Sequence, residues 1–473
     1  MQFNSYAFLG FFPLVYLFYL LLRNHYKAQN ALLLIASYVF YAYFDWRLLS
    51  ILIFCTLANY LLAIGIEDAR STGKRRALLV VSIVAALSLL GLFKYFNFFA
   101  DNVVDFLSLV GLHPGDVTLK ILLPLGISYY TFMALGYIVD VYRGRVPATR
   151  NLMNFALFMS FFPQVASGPI GRAADLLPQF ASPRRISAER IDVGIWLIVW
   201  GYFQKMVIAD NVGIIADRIF NGYTQYQGLD IVIGILAFTV QIYCDFSGYI
   251  DIARGVAKLM GFDLMVNFRL PYFAVNPRDF WARWNISLST WFRDYLYIPL
   301  GGDRQGKIKT YRNLGLTMLL CGLWHGAAWN YVIWGGYHGL ALIVHRVFLG
   351  SRVLKDEWVG RLRSALVPVQ MLGMFLVVAF GWLIFRSTSV DQFLYMVRHM
   401  GLRLSENSLN LGYELLFFSV PLILVSLYQY FTGNLLAMQR LGLALRIPLY
   451  CFLIIVIIVF GARESVEFIY FKF

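Results

Sequence analysis

Charged residues are scarce in this sequence. They make up only 14% of the 473 residues, whereas 60% are hydrophobic, and a soluble domain carries about a quarter charged residues. Apolar runs of about 20 residues, the length that crosses a bilayer, recur roughly a dozen times. The composition therefore excludes a soluble enzyme. It predicts an all-α, polytopic transmembrane protein with roughly 11–13 spanning or re-entrant helices.

Cysteine is also rare, and its spacing excludes the usual cysteine sites. The four cysteines each lie in or beside an apolar segment, and no two form a CxxC pair (Cys55, Cys244, Cys321 and Cys451). Such cysteines are typical of packed thiols rather than of disulfides or metal ligands. The sequence also lacks a P-loop, a G-x-S-x-G elbow and an H-E-x-x-H pair. We therefore expect no metal site and no permanently bound cofactor.

Acidic residues are outnumbered by basic ones, 26 against 40, which gives a net charge of +14. Basic clusters follow the first predicted span (6–22) and the third (48–64), at 23–27 and at 70–76. With three alternating spans, both clusters fall on one side, which the positive-inside rule makes cytoplasmic. We therefore predict an extracytoplasmic N-terminus and no nucleic-acid partner. Since no Lys or Arg precedes the first apolar run, we also expect a retained first helix rather than a cleaved signal peptide.

Several segments are too irregular to be simple spans. Pro124 and Gly126 interrupt the start of the apolar stretch 121–142, and two prolines and a glycine fall within 161–170. Irregular backbone at membrane depth is tolerated only where it lines protein or a water-filled cavity, so a re-entrant segment is expected at 154–170. The stretch 271–302 alternates aromatic residues with Arg and Asp, which is typical of interfacial or re-entrant helices.

Two ionisable residues lie inside apolar runs. Asp245 falls within a predicted span, 231–250, where a carboxylate is a functional candidate. The alternative is that Asp245 lies at the membrane boundary, paired with an arginine or bonded to a helix end. His325 lies in an apolar run that begins near Leu314, in a helical hairpin predicted to turn at 327–330. An imidazole there can move protons near neutral pH, or can simply pack.

The other histidines are weaker candidates. Three lie near charges or loops and are expected at the surface (His25, His113 and His399), and His345 precedes Arg346 at a helix end. His338 lies 13 residues after His325, which on a straight helix separates the two side chains by roughly 140°. The sequence therefore does not favour a metal pair formed by His325 and His338.

Two long motifs carry a resemblance. FWARWNISLSTWFRDYLYIPLGG (280–302) and CGLWHGAAWNYVIWGGYHG (321–339) resemble signatures of the membrane-bound O-acyltransferase superfamily. Further similarity lies in LPLGISYYTF (123–132), FFPQVASGPIGR (161–172), QIYCDFSGYIDIARG (241–255) and the closing FIYFKF (468–473). The likeness is to the bacterial alginate O-acetyltransferase branch. It implies one domain over 1–473, with the motif-bearing core at about 120–345 and a funnel or tunnel through it.

The resemblance also implies roles for individual residues. His325, in the W-H-G motif, corresponds to the family's catalytic histidine. Where the bacterial polysaccharide branch usually has R-W-H, this chain has Arg283-Trp284-Asn285. Asn285 cannot act as a base, but its amide could donate a hydrogen bond to the oxyanion of a tetrahedral intermediate. We therefore predict His325 and Asn285 as the catalytic residues.

The predicted substrate-binding residues surround the same motifs. An arginine of the first motif could hold the phosphates of a coenzyme A donor; the alternative for Arg283, Arg293 and Asp294 is interfacial anchoring and ion pairing. The full predicted set is Tyr243, Asp245, Arg283, Trp284, Arg293, Asp294 and Trp324.

The resemblance implies an O-acyltransferase of the bacterial cytoplasmic membrane. It would move an acyl group, expected to be acetyl, from a cytoplasmic thioester such as acetyl-CoA to a hydroxyl on the extracytoplasmic side. The expected pathway is O-acetylation of an alginate-like exopolysaccharide, directly or through an extracytoplasmic partner protein. The alternatives are a lipid O-acyltransferase of the same superfamily, and a transporter or flippase in which Asp245 and His325 relay protons. No internal symmetry of the kind common in transporters is visible in the sequence.

Overall fold

The computed structural model describes residues 1–112, 115, 118–119, 122–350 and 366–462, without the side chains of 349 and 350. His113 and the FIYFKF motif therefore lie outside the described residues, as does the expected loop around 352–363. The described residues are organised as helices joined by short connections. Helices satisfy their own backbone hydrogen bonds, which lipid-exposed segments require.

The helices are numbered in chain order. Those of the first part of the chain are α1 (Tyr6–Leu21), α2 (Tyr26–Ala42), α3 (Trp46–Asp68), α4 (Thr72–Leu90), α5 (Phe96–Leu109), α6 (Ile127–Tyr142), α7 (Leu152–Ser160), α8 (Phe162–Val165), α9 (Ala173–Phe180) and α10 (Ala188–Tyr202). They continue with α11 (Asp210–Asn221), α12 (Leu229–Leu259), α13 (Pro277–Arg283), α14 (Ile286–Phe292), α15 (Lys307–His325), α16 (Trp329–Gly350), α17 (Val367–Arg386), α18 (Val390–His399), α19 (Ser408–Thr432) and α20 (Leu443–Phe460). Among the described residues, three π-helical segments adjoin α4, α10 and α14: Gly91–Tyr95, Phe203–Ala209 and Arg293–Tyr297.

The described residues contain seven helices long and apolar enough to cross a membrane: Trp46–Asp68, Thr72–Leu109, Ala188–Asn221, Leu229–Leu259, Val367–Arg386, Ser408–Thr432 and Leu443–Phe460. Two shorter apolar helical stretches, Tyr6–Leu21 and Leu152–Val165, accompany them. In α20, the most apolar span, only 6% of the 18 residues are buried within the protein, whereas 72% of the most apolar 18-residue stretch of α12 is buried. Large apolar side chains that face outward are stable only against lipid, so the chain is a multi-pass membrane protein.

The chain divides into two compact units. One comprises residues 1–194 and 256–265, and the other comprises residues 195–255 and 266–473. In the first unit, the Tyr19 hydroxyl donates to the Met260 carbonyl over 2.6 Å. The interruption predicted at Gly126 is present there, since Gly126 adopts φ +70° immediately before α6 begins. The interrupted stretch 154–170 forms the short helices α7 and α8, and the backbone N–H of Phe162 donates to the buried Ser37 hydroxyl over 3.0 Å.

In the second unit, α15 and α16 form a tightly packed hairpin joined through residues 326–328, as the sequence predicted. Two glycines permit the close approach of these helices. A Cβ atom at Gly322 would lie 2.1 Å from the Tyr331 carbonyl oxygen, and one at Gly335 would lie 2.2 Å from the Met318 carbonyl oxygen. Any larger side chain would separate the helices, so these glycines set the position of the residue at the tip of α15, His325.

Candidate functional site

His325 is the last residue of α15, immediately before the hairpin turn. Its side chain is buried, with 2% of the residue exposed. The C-terminal end of a helix carries partial negative charge, which favours the imidazolium formed when a histidine accepts a proton. The position therefore suits a group that takes up a proton and releases it within one reaction.

Aromatic rings surround the His325 imidazole. The ring centroids of Trp334, Trp324 and Phe385 lie 5.0, 5.1 and 5.6 Å from it, each in an edge-to-face arrangement. Edge-to-face contacts fix both the distance and the tilt of a ring. The imidazole is consequently held in one orientation by side chains of α15, α16 and α17.

Asn285 lies in the strained connection between α13 and α14. It adopts φ +41° and is 2% exposed; asparagine is one of the few residues that tolerates this left-handed conformation. Asn267 fixes the turn: its carbonyl accepts from the Ile286 N–H over 3.0 Å, and its side-chain amide donates to Asn285 Oδ1 over 3.4 Å. Among the described residues, no acceptor lies within hydrogen-bonding distance of Asn285 Nδ2. The structure therefore presents a buried N–H donor within the first motif.

The two sequence motifs meet in one aromatic cluster, formed by Phe280, Trp281, Trp284, His325, Trp334, His338, Trp382 and Phe385. Trp284, which precedes Asn285, lies 4.9 Å from Trp382. Trp382 lies 5.6 Å from Trp334, which contacts the His325 ring. His325 is thus connected by a continuous chain of ring contacts to Trp284, the residue before Asn285, although the two motifs are far apart in sequence.

His338 belongs to this cluster as well. Its ring stacks on Phe280 at 5.9 Å and contacts Trp334 at 4.8 Å, and the residue is fully buried. Within the described part of the chain, neither ring nitrogen has a hydrogen-bond partner. A Cβ atom at Gly381 would lie 2.9 Å from its Nε2. His338 therefore packs α16 against α13 and α17.

A cavity of about 570 Å³ lies in the same unit. Side chains of α10, α12 and α13, the connection before α13, and the end of α19 line it. Of the predicted substrate-binding residues, Tyr243 and Arg283 are in its lining. Trp284 contacts two lining residues, Phe268 at 5.0 Å and Tyr243 at 6.3 Å. Trp284 therefore contacts both the cavity lining and the aromatic cluster.

Asp245 lies inside a helix, as the first interpretation of the sequence expected, but its ion-pair partner was not foreseen. It lies near the middle of α12, and its ion-pair partner is a lysine rather than an arginine. Lys205 Nζ lies 2.7 Å from Asp245 Oδ1 and 2.8 Å from Asp210 Oδ1, and all three side chains are at most 4% exposed. Asp245 thus belongs to a buried ionic triad, and the expectation of an arginine partner is wrong.

The remaining predicted residues lie apart from the cavity lining. Arg293 and Asp294 pair with each other over 2.7 Å, and the arginine side chain is 60% exposed. This arrangement agrees with the anchoring and ion-pairing alternative. Trp324 contacts the His325 ring and therefore belongs to its immediate surroundings.

Sequence reasoning missed several residues of the cavity, chiefly Gln204, Arg254 and Arg269. A signal for part of this set was present. Tyr243, Ser247 and Arg254 recur at the spacing that places residues on one face of α12. Gln204 and Arg269 lie outside that helix, so no periodic pattern in α12 could reveal them.

Comparison with known proteins establishes the family. The model of the membrane-bound O-acyltransferase family matches residues 33–352. The chain belongs to this family. It is 44% identical to a probable alginate O-acetylase of Pseudomonas aeruginosa over 396 residues. The aligned region covers 83% of this chain and 73% of the relative. The likeness to the bacterial alginate O-acetyltransferase branch is therefore confirmed, and the chain is a membrane O-acyltransferase.

Two other relatives widen the comparison. A peptidoglycan O-acetyltransferase of Helicobacter pylori is 34% identical over 430 residues, covering 84% of this chain and 79% of the relative. A teichoic acid D-alanyltransferase of Bacillus subtilis is 30% identical over 270 residues, covering 55% of this chain and 68% of the relative. Both names describe acyl transfer to a cell-surface polymer. These names support an enzyme, so the transporter alternative is rejected.

Proposed function

We propose that this chain transfers acetyl groups from a cytoplasmic acyl thioester toward a cell-surface exopolysaccharide, by direct attack of an acceptor hydroxyl. The observation that carries the proposal is the buried His325 ring, held at the end of α15 in one aromatic cluster with the motif that contains Asn285. The 44% identity to a probable alginate O-acetylase supports acetyl as the group transferred.

The proposed chemistry uses one base and one oxyanion donor. His325 accepts the proton of the acceptor hydroxyl as the hydroxyl oxygen attacks the thioester carbonyl. The carbonyl oxygen gains negative charge, and Asn285 Nδ2–H donates a hydrogen bond to it. The carbon–sulfur bond then breaks, and the imidazolium returns its proton to the departing thiolate. No residue carries the acetyl group in this route, so acceptor and donor are bound at the same time.

The proposed topology places donor and acceptor on opposite sides of the bacterial inner membrane. With the N-terminus outside, the basic segments 23–27 and 70–76 face the cytoplasm, where acyl thioesters are made. The acceptor is a hydroxyl on the extracytoplasmic side, either of the polysaccharide or of a partner protein that passes the group on. A lipid hydroxyl is the alternative acceptor within the same chemistry.

Asn285→Asp tests the proposed oxyanion donor. Aspartate retains the size of the side chain and tolerates the left-handed backbone, but it offers no N–H at this position. We expect acetyl transfer to fall by about 10²-fold, the effect of removing one oxyanion donor. The measurement is initial acetyl-transfer rate in membranes containing equal amounts of protein. A rate within twofold of wild type would remove Asn285 from the mechanism.

The proposed function is tested by deleting the gene and restoring it. We expect the O-acetyl content of the exopolysaccharide, measured by proton NMR, to fall to background in the deletion strain and to return with the wild-type gene. Peptidoglycan O-acetylation is measured in the same cultures, because the Helicobacter pylori relative makes peptidoglycan a second candidate acceptor. Loss of acetyl groups from peptidoglycan alone would replace the polysaccharide with peptidoglycan. Unchanged acetylation of both polymers would overturn the proposal.

A further inference from the structure

His338 is a fully buried histidine that no hydrogen bond holds in place. Its exposure is 0%, and among the described residues neither ring nitrogen has a hydrogen-bond partner. A buried polar atom without a partner lowers stability, so an apolar side chain of similar shape would serve better if packing were its only role. Because no hydrogen bond anchors the ring, its position is set by the side chains and backbone that it contacts.

Aromatic side chains of α13 form one wall around this ring. The ring stacks on Phe280, with centroids 5.9 Å apart and planes 9° from parallel. Trp281 contacts it edge-to-face at 5.3 Å. Both aromatic residues are buried, and protein interiors are packed closely enough to transmit a displacement. The His338 ring therefore cannot move toward α13 without displacing residues of the first motif.

Gly381 of α17 lies against the Nε2 atom of the same ring. A Cβ atom at Gly381 would lie 2.9 Å from Nε2, well inside the usual contact distance of about 3.5–4.0 Å between non-bonded heavy atoms. Gly373 lies earlier in α17, and a Cβ atom there would have no neighbour within 4 Å among the described residues. Gly381 therefore leaves the space that the His338 ring occupies, whereas Gly373 has no such part.

Trp334 connects His338 to His325. It is fully buried, and its ring centroid lies 4.8 Å from that of His338 and 5.0 Å from that of His325. Trp334 and His338 occupy positions i and i+4 of α16, so their side chains lie on one face of the helix. The Trp334 ring also contacts Phe385 at 5.3 Å and Trp382 at 5.6 Å, so it is enclosed on several sides. A displacement of the His338 ring is therefore passed on to the His325 ring.

We propose that Gly381 and His338 are positioning residues for the His325 imidazole. They act on it through Trp334, and neither takes up a proton or contacts the acetyl group. A general base must lie within about 2.6–3.2 Å of the atom that gives up the proton, and a misplacement of about 1 Å costs about 10²-fold in rate. This inference rests on the proposed role of His325 as the base, and it extends that role to Gly381, which lies in neither motif.

Gly381→Ala tests the inference, and Gly373→Ala is the matched control in the same helix. The measurement is the initial rate of acetyl transfer to polymer in membranes with equal amounts of protein, over a range of acetyl-coenzyme A concentrations. We expect Gly381→Ala to lower kcat by about 10- to 100-fold, because the added methyl group displaces the His338 ring and, in turn, the His325 ring.

The KM for acetyl-coenzyme A should not change in Gly381→Ala, because the lost interaction matters only in the transition state. Gly373→Ala should match wild type in both constants, since its methyl group enters open space. A Gly381→Ala enzyme with wild-type kcat would overturn the inference. An equal loss of kcat in Gly373→Ala would overturn it as well, because any methyl group on α17 would then have the same effect.

His338→Leu supplies an independent variant. Leucine is apolar and shorter than histidine, so it removes the unpartnered nitrogens and the atom that lies against Gly381. We expect the variant to fold, with a melting temperature close to that of wild type, and to lower kcat because Trp334 loses its support. A wild-type kcat in a folded His338→Leu enzyme would overturn the inference, even if Gly381→Ala failed to accumulate.

The double variant tests whether Gly381 acts through the ring of His338. In the His338→Leu background, adding Gly381→Ala should cause no further loss of kcat, because alanine no longer meets Nε2. Losses that multiply would show that the two residues act independently and would overturn their pairing.

Failure of this inference differs from failure of the proposed function. If His325→Ala abolishes polymer acetylation while Gly381→Ala and His338→Leu are as active as wild type, His325 remains the base and only the positioning role falls. If deletion of the gene leaves polymer acetylation unchanged, the proposed function itself falls, and the inference falls with it.

Discussion

Acetyl transfer is expected to fall by at least about 10²-fold when His325 is replaced with alanine, since that is the smaller effect of losing a general base. The imidazole is the proposed acceptor of the hydroxyl proton, and alanine cannot take its place. The ring is buried at the end of α15, so it has little contact with bulk water. The measurement is polymer O-acetyl content in a deletion strain carrying each variant at equal membrane levels.

His345→Ala is the control for this experiment. His345 lies in α16 of the same hairpin, is only partly buried and has no assigned part in the reaction. We expect it to retain wild-type acetylation. His325→Gln separates packing from proton transfer, because glutamine fills much of the same space without a basic nitrogen. Normal acetylation with His325→Gln would exclude His325 as the base, whereas loss of protein from the membrane with every substitution would indicate a purely structural residue.

Replacing Lys205 with methionine is expected to destabilise the folded protein by about 3–5 kcal/mol, the cost of breaking a buried ion pair by removing one partner. Methionine fills a similar volume but leaves Asp210 and Asp245 with no neutralising ammonium between them. Their carboxylates are at most 4% exposed, so water cannot compensate. Equilibrium unfolding in mixed detergent micelles measures the change in free energy.

Two further variants show whether the loss of stability comes from buried charge or from packing. Arg47→Met removes an ion pair at the surface, where the arginine side chain is 71% exposed, and should cost at most about 1 kcal/mol. Lys205→Met combined with Asp210→Asn and Asp245→Asn removes all three charges and should recover much of the lost stability. Equal stability of the single and triple variants would show that the destabilisation comes from packing rather than from unpaired carboxylates.

Much of the helical organisation could be predicted, because lipid imposes a strong length and polarity rule on sequence. The hairpin turn was expected at 327–330, and the structure joins the two helices at residues 326–328. The interruption at Gly126 was also correct, since a proline and a glycine mark it in the sequence. Helix ends shifted by several residues because polar end residues are compatible with both helix and loop. The 31-residue length of α12, for example, exceeds the apolar run within it.

The candidate site was predictable only in part. The motifs identified His325 and Asn285, and the structure joins their surroundings through Trp334, Trp382 and Trp284. The partner of Asp245 could not be predicted, because Lys205 lies 40 residues earlier in a π-helical segment that leaves no periodic signal. The cavity was predicted only in part: Tyr243 and Arg283 were among the predicted residues, whereas Arg254 in α12 and Arg269 in a connecting loop were not.

The close packing of the α15–α16 hairpin has a consequence for altering this enzyme by directed evolution. At Gly322 and Gly335 there is no space for even a methyl group beside the opposing backbone. Variants with substitutions at these positions are therefore expected not to fold. The cavity walls carry no such restriction at exposed positions such as Arg269. Libraries of variants should therefore keep Gly322 and Gly335 constant and diversify exposed positions, where substitutions do not force the two helices apart.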